Sequence, residues 1–192
     1  MNHALLILAS ASPRREHLLR EMGLRFTIVL PDGVDETSAG SAPDVVALHN
    51  AQLKARVVAG RHPDALVLGS DTIVVLDGVI YGKPSDLPAA GEMLGRLAGR
   101  RHEVITGVCL LHRASDAEIC FTERTRVWMK ALTPAQITAY HARMNPLDKA
   151  GAYAAQEFGE NIIERIEGSF SNVMGLPVER LRATLEKLGI PF

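Results

Sequence analysis

Cysteine is scarce in this chain. Only Cys109 and Cys120 occur in 192 residues, too few for a disulfide framework and consistent with reduced thiols in the cytoplasm. No apolar stretch approaches the roughly 18 residues of a membrane span. Met1 to Leu8 holds one short apolar run and lacks the n-region, h-region and cleavage site of a secretory signal. A cytoplasmic protein without a membrane partner is expected. Strong charge of either sign is also missing. The net charge is −1 and the sequence pI about 6.7, whereas binding to a nucleic-acid backbone calls for a more basic surface. A local basic cluster for a small anion remains compatible with such a balance. The chain has no GxxxxGK[ST] loop, no GxGxxG, no GxSxG elbow and no HExxH. Its seven histidines show no clustered metal spacing. Internal repeats, low-complexity segments and clear linkers are absent.

What is present is a globular composition, 47% hydrophobic and 22% charged. The length suits one domain over residues 1–192, or two small lobes around a shared core. Ala4–Ala9 reads as a buried strand, and Ser12-Pro13 opens a helix that Gly23 ends. Arg25–Leu30 reads as a strand and Pro31–Gly40 as a polar loop. Ser41-Ala42-Pro43-Asp44 has the form of a capping box. The helix after it runs to about Ala59, with Val46, Leu53 and Val57 along one face. Ala65–Leu68 and Ile73–Leu76 are apolar runs interrupted by Gly69-Ser70-Asp71-Thr72. Asp77-Gly78 signals a hairpin returning through Val79–Gly82, so that Leu76 faces Val79 and Thr72 faces Lys83. Pro88–Ala98 and Pro134–Arg143 read as helices, Glu103–Leu111 and Ala117–Met129 as long strands. Asn161–Ile166 is a strand and Pro177–Leu188 the closing helix. Hairpins mixed with βα units predict an α/β fold with a mixed sheet.

Several segments carry candidate chemistry. In Ser10-Ala11-Ser12-Pro13-Arg14-Arg15 a strand ends in small residues and feeds a helix. Free N–H groups there favour an anion. Two arginines in the first helical turn oppose the dipole unless a phosphate joins them; solvated arginines are the plainer reading. Asp71, between two apolar runs, is either a strand-end carboxylate satisfied by backbone or a base or metal ligand in a cleft. The hairpin brings Lys83 near it. Asp32, Asp35 and Glu36 read as a solvated acidic loop, although a second carboxylate facing Asp71 would complete an oxygen-rich Mg²⁺ or Mn²⁺ site. Spacing gives Lys54 no preference for a ligand role. Asp148 to Gln156 is rich in small residues, which let a ligand approach the backbone, and Gln156 offers both a donor and an acceptor to a base edge. Cys109 and Cys120 fall opposite one another if Arg113–Asp116 is a four-residue loop.

Taken together, Leu8-Ala9-Ser10-Ala11-Ser12-Pro13-Arg14-Arg15, Val34-Asp35-Glu36, Lys54-Ala55, Gly69-Ser70-Asp71-Thr72, Gly82-Lys83-Pro84, Thr106-Gly107-Val108, Asp148-Lys149-Ala150-Gly151-Ala152-Tyr153, Gly168-Ser169, Asn172-Val173 and Gly175-Leu176-Pro177 resemble the Maf family of septum-formation-inhibitor-like nucleotide pyrophosphatases. The resemblance implies a long mixed sheet with flanking helices, two lobes around a central cleft, and a homodimer. It implies water attack on the α-phosphate of a nucleoside triphosphate, releasing pyrophosphate, with a divalent cation, Mg²⁺ or Mn²⁺. It assigns Asp71 as catalytic base and metal contact, Glu36 as the metal carboxylate, and Ser10, Arg15, Lys54 and Lys83 as phosphate contacts. Arg14, Thr72 and Gln156 stand where the family's branches differ, and here they resemble the dTTP/UTP branch, which also takes modified uridine triphosphates. The family's 7-methyl-GTP branch and a non-catalytic nucleotide-binding regulator of cell division are the alternatives. Glu157-Phe158 departs from the glycine that often follows the glutamine.

Overall fold

The computed structural model describes residues 5–36 and 42–190. Ala4, the end of the acidic loop and Ser41 of the expected capping box lie outside them. Strand β1 (Leu6–Ala9) is parallel to β2 (Phe26–Ile28) and β3 (Leu66–Leu76). From β3 onward the sheet turns antiparallel through β5 (Arg101–His112), β6 (Ala117–Met129) and β7 (Ile163–Glu167), with β4 (Val79–Tyr81) also on β3. The order is β2-β1-β3-β5-β6-β7, the mixed sheet anticipated from sequence.

Local chemistry explains the turns. Asp77 and Gly78 both take positive φ, 51° and 78°, the conformation that a two-residue hairpin loop needs. Leu76 therefore pairs with Val79. The ladder ends at Val74 and Tyr81, so Thr72 does not face Lys83; on the other edge of β3 it pairs with Thr106 of β5. His112 pairs with Ala117 across the four residues Arg113–Asp116, which places Cys109 directly opposite Cys120, both as free thiols. The two apolar runs around Gly69–Thr72 are one continuous strand. Its middle stays in register with β5 because ladder bonds do not depend on side-chain polarity.

Helices α1 (Pro13–Glu21), α2 (Pro43–Arg61), α3 (Leu87–Leu97), α4 (Pro134–His141), α5 (Phe170–Met174) and α6 (Val178–Lys187) flank the sheet. α4 opens with a full capping box between Thr133 and Gln136. α2 instead starts behind Ala42, which has no side chain able to cap. The short α5 had no sequence signal of its own length. None of these helices is long and apolar enough to cross a membrane.

Of the expected α2 stripe, Val46 is buried but Leu53 and Val57 do not belong to the buried face. Ala47, Asn50, Ala51, Lys54, Ala55, Val58 and Ala59 are buried, while Leu53 and Val57 are only half-buried. Two glycines decide this. A methyl group added to Gly69 would lie 2.2 Å from the Ala51 carbonyl oxygen, and one on Gly107 would lie 2.3 Å from that of Ala47. Backbone meets backbone, so only the small-residue face of α2 fits. That close seating brings Asn50 and Lys54 over the middle of β3.

Separate apolar clusters sit along the sheet. Leu8, Leu19, Leu68, Leu110, Leu181 and Leu185 pack under α1 and α6. Val74, Leu94, Leu97, Val104, Val127 and Tyr140 pack under α3 and α4. β3 and β5 run through both, and the polar segment Ser70–Thr72 lies at the junction.

Candidate active site

β1 ends at Ala9 and leaves Ser10 buried beside the start of α1. Ser12 takes the N-cap position without a side-chain cap bond; its own N–H donates to Ser10 Oγ at 3.2 Å. One turn later Arg15 points inward and is 8% exposed. Its Nε donates to the Gly175 carbonyl at 2.8 Å, Nη1 to Ser10 Oγ at 3.1 Å and Nη2 to Thr72 Oγ1 at 2.9 Å. These three partners are neutral oxygens. Burial lowers the guanidinium's pKa from its ordinary value, with Asp71 and Glu36 pulling the other way. A buried cation held this way has charge left over for an anion.

Asp71 is 7% exposed, and its partners come from α2. Lys54 Nζ donates to Asp71 Oδ1 at 2.7 Å, and Asn50 Nδ2 donates to Oδ2 at 3.0 Å. The same Lys54 nitrogen lies 2.8 Å from Glu36 Oε1. One ammonium therefore joins the two carboxylates that the family resemblance selects. Glu36 itself is half-exposed at the cavity mouth. Asp32 is turned toward Arg61 at 3.8 Å, and Asp35 is exposed.

At the other end of the cavity, Arg14 Nη1 lies 3.4 Å from Asp148 Oδ2. Lys149 is buried and donates to Asp148 Oδ1 at 2.8 Å and to the Asn145 carbonyl at 2.9 Å. Burial raises the Asp148 carboxyl's pKa, but Lys149 and Arg14 outweigh it and bring it below its ordinary value. Gln156 is exposed, and its amide donates to Glu157 Oε1 at 3.3 Å. The departure at Glu157 thus supplies a partner to Gln156 and a carboxylate 3.5 Å from Lys149. Phe158 takes φ 57° and stacks under Arg143.

Ser10, Arg14, Arg15, Glu36, Lys54, Asp71, Thr72, Lys83 and Gln156 all line one cavity of about 580 Å³. That volume fits a small-molecule ligand. Lys83 is exposed on its wall. The residues that sequence reasoning missed are Asn50, Thr106 and Gly175. Asn50 lies four residues before Lys54, hence on the same helix face; assigning Lys54 would have found it. Thr106 Oγ1 sits 3.0 Å from Thr72 Oγ1, a contact set by strand register. Gly175 works through its carbonyl and leaves no side-chain signal.

The family model described as Maf-like protein matches residues 5–188. A protein of Myxococcus xanthus named dTTP/UTP pyrophosphatase is 46% identical over the whole chain and 96% of its own length. One of the same name from Symbiobacterium thermophilum is 44% identical over 97% of this chain and 95% of that protein. Among solved structures, the Staphylococcus aureus Ham1 protein superposes with a TM-score of 0.54 at 16% identity, covering 95% of this chain and 98% of that one. A HAM1 protein from Coxiella burnetii gives 0.52 at 13% identity, over 96% of this chain and all of that one. At these identities the likeness extends to the fold.

Proposed function

The chain belongs to the family of Maf-like proteins, and on that premise we propose that it hydrolyses dTTP and UTP to the monophosphates and pyrophosphate. The single observation that carries this reading is the buried Arg15 guanidinium, bonded to neutral oxygens, in the same cavity as the Lys54–Asp71 pair. A polyphosphate tail supplies the negative charge that this arrangement lacks. Ser10, Arg15, Lys54 and Lys83 hold the phosphates. Asp71 takes a proton from water as the water oxygen bonds to the α-phosphorus, and the bond from that phosphorus to the bridging oxygen of pyrophosphate breaks. Charge gathers on the departing pyrophosphate, where the fixed cations of the cavity stabilise it.

The two carboxylates fit a hard divalent cation, Mg²⁺ or Mn²⁺. Glu36 and Asp71 are oxygen donors that converge on one positive charge, now the Lys54 ammonium. They would hold the cation, which when bound neutralises phosphate charge and polarises the phosphoryl group. Gln156 reads the base. A carboxamide offers one donor and one acceptor, the complement of the imide edge of uracil or thymine, whereas a carboxylate would suit the N–H donors of guanine. The same pocket accommodates modified uridine triphosphates.

The test is a panel of nucleoside triphosphates with Mg²⁺ or Mn²⁺, with products identified by mass. Monophosphate and pyrophosphate from dTTP and UTP are expected. Faster turnover of 7-methyl-GTP would move the chain to the other branch, and binding without pyrophosphate release would make it a regulator. Asp71→Asn is expected to lower turnover by about 10²–10⁴-fold while losing less stability than Lys54→Met, because Lys54 keeps Glu36 as its counter-charge; a fully active variant would remove Asp71 as base.

A further inference from the structure

The cysteine pair gains a third member in the fold. Glu118 lies two residues before Cys120 on β6, hence on the same face of the sheet. Cys109 stands opposite Cys120 and packs in the cluster with Ala51 and Ala55 of α2. Glu118 Oε1 is 3.7 Å from Cys109 Sγ and 3.5 Å from Cys120 Sγ. The three ligand atoms all lie within 4.8 Å of one another. In a tetrahedral zinc site, with Zn–S about 2.3 Å and Zn–O about 2.1 Å, the sulfur-to-oxygen edge is about 3.6 Å. Both sulfur-to-oxygen edges match it, and the two sulfurs lie within 4.8 Å of each other.

We propose that Cys109, Cys120 and Glu118 bind a zinc-class cation at a site apart from the nucleotide cavity. None of the three lines that cavity. Cys109 is buried, while Cys120 and Glu118 are partly exposed, so the fourth coordination position faces outward to water. On binding, each thiol gives up its proton to solvent. Two sulfur–metal bonds and one oxygen–metal bond form, with no change of oxidation state. Two thiolates and a carboxylate around a divalent cation leave one negative charge. Arg56 supplies the balancing positive charge, with Nη2 3.1 Å from Glu118 Oε1, and Gln52 Nε2 donates to the same oxygen at 2.8 Å. Such outer partners orient ligating carboxylates in metal sites generally. Both come from α2, the helix that also carries Asn50 and Lys54.

The full-length reduced protein titrated with Co²⁺ tests this. One equivalent should produce a thiolate-to-cobalt charge-transfer band and the intense visible bands of tetrahedral cobalt, and one equivalent of Zn²⁺ should bleach them. An all-oxygen site such as the Glu36–Asp71 pair gives no charge-transfer band, so the result does not depend on the pyrophosphatase reading. Cys120→Ser should lose at least half of the band and Glu118→Gln should weaken cobalt binding at least tenfold, both with dTTP turnover unchanged. No charge-transfer band in the parent protein, or an unchanged band in Cys120→Ser, would overturn the proposal. So would an intrachain disulfide in air from a protein that, once reduced, leaves Co²⁺ free.

Discussion

Lys54 holds two carboxylates with one nitrogen, at 2.7 Å from Asp71 and 2.8 Å from Glu36. Replacing it by Met leaves Asp71 buried without its counter-charge. Removing one partner of a buried pair costs about 3–5 kcal/mol, and Glu36, half-exposed, adds little to that. Lys54→Met is therefore expected to melt at lower temperature and to lose about 10²-fold in kcat/KM on dTTP, read from a thermal melt and steady-state kinetics on the same preparation. Gln156 sits at the opposite extreme of exposure. Gln156→Glu should leave the melt in place. Its kcat/KM on dTTP should fall about tenfold, the size of one mismatched hydrogen-bond pair; equal kinetics would remove its base-reading role. Nothing in the spacing of α2 distinguishes Lys54 from a solvated lysine. Its meaning depends on which residues it faces, and that is decided elsewhere in the chain.

It is decided by the helix as a unit. α2 approaches the sheet over Gly69 and Gly107 so closely that no methyl group fits beneath it. Gly69→Ala should push α2 outward and carry Lys54 and Asn50 away from Asp71. Overpacking of this kind costs about 1–3 kcal/mol, or roughly 3–10 °C in melting temperature for a chain of this size, with a fall in turnover beyond what the lost stability explains. Gly60→Ala, in the same helix with open space around it, should instead stabilise by up to about 1 kcal/mol. The hairpin at Asp77-Gly78 and the pairing of Cys109 with Cys120 were legible in the sequence because turn chemistry and loop length fix them locally. The buried face of α2 was not. Alanine carries little hydrophobic signal, and larger Leu53 and Val57 outweigh it in any periodicity argument. α5 was not legible either, since five residues are too few to show an apolar period, even though Ser169 and Gly175 bound it.

At the scale of the molecule, a buried histidine beside Tyr153 of the cluster under α3 and α4 makes stability depend on pH. His102 is 1% exposed, and its Nε2 lies 2.7 Å from the Tyr153 hydroxyl. Burial lowers its pKa to about 4, whereas an unfolded histidine titrates near 6.5. The folded state therefore prefers the neutral ring. Its contribution is fully present above pH 6.5 and is lost as the unfolded chain takes up a proton between pH 6.5 and 4. The slope approaches 1.4 kcal/mol per pH unit and totals about 3 kcal/mol. Urea melts of the parent and His102→Gln from pH 7 to pH 4 should diverge in slope over that window; parallel curves would show that His102 does not drive the loss. All nine residues that the family resemblance singles out line one cavity; the roles given to them are proposals. The way the two larger apolar clusters share β3 and β5 was not legible, because register is a property of paired strands.

Arg15 reaches the Gly175 carbonyl across 160 positions of sequence. During synthesis, then, the first residues of the pocket wait for nearly the last. A ribosome must extrude Gly175, and the helix beyond it must settle on Leu8 and Leu19, before the guanidinium acquires its final orientation. An unfinished nascent chain should thus be unable to consume the nucleotides around it.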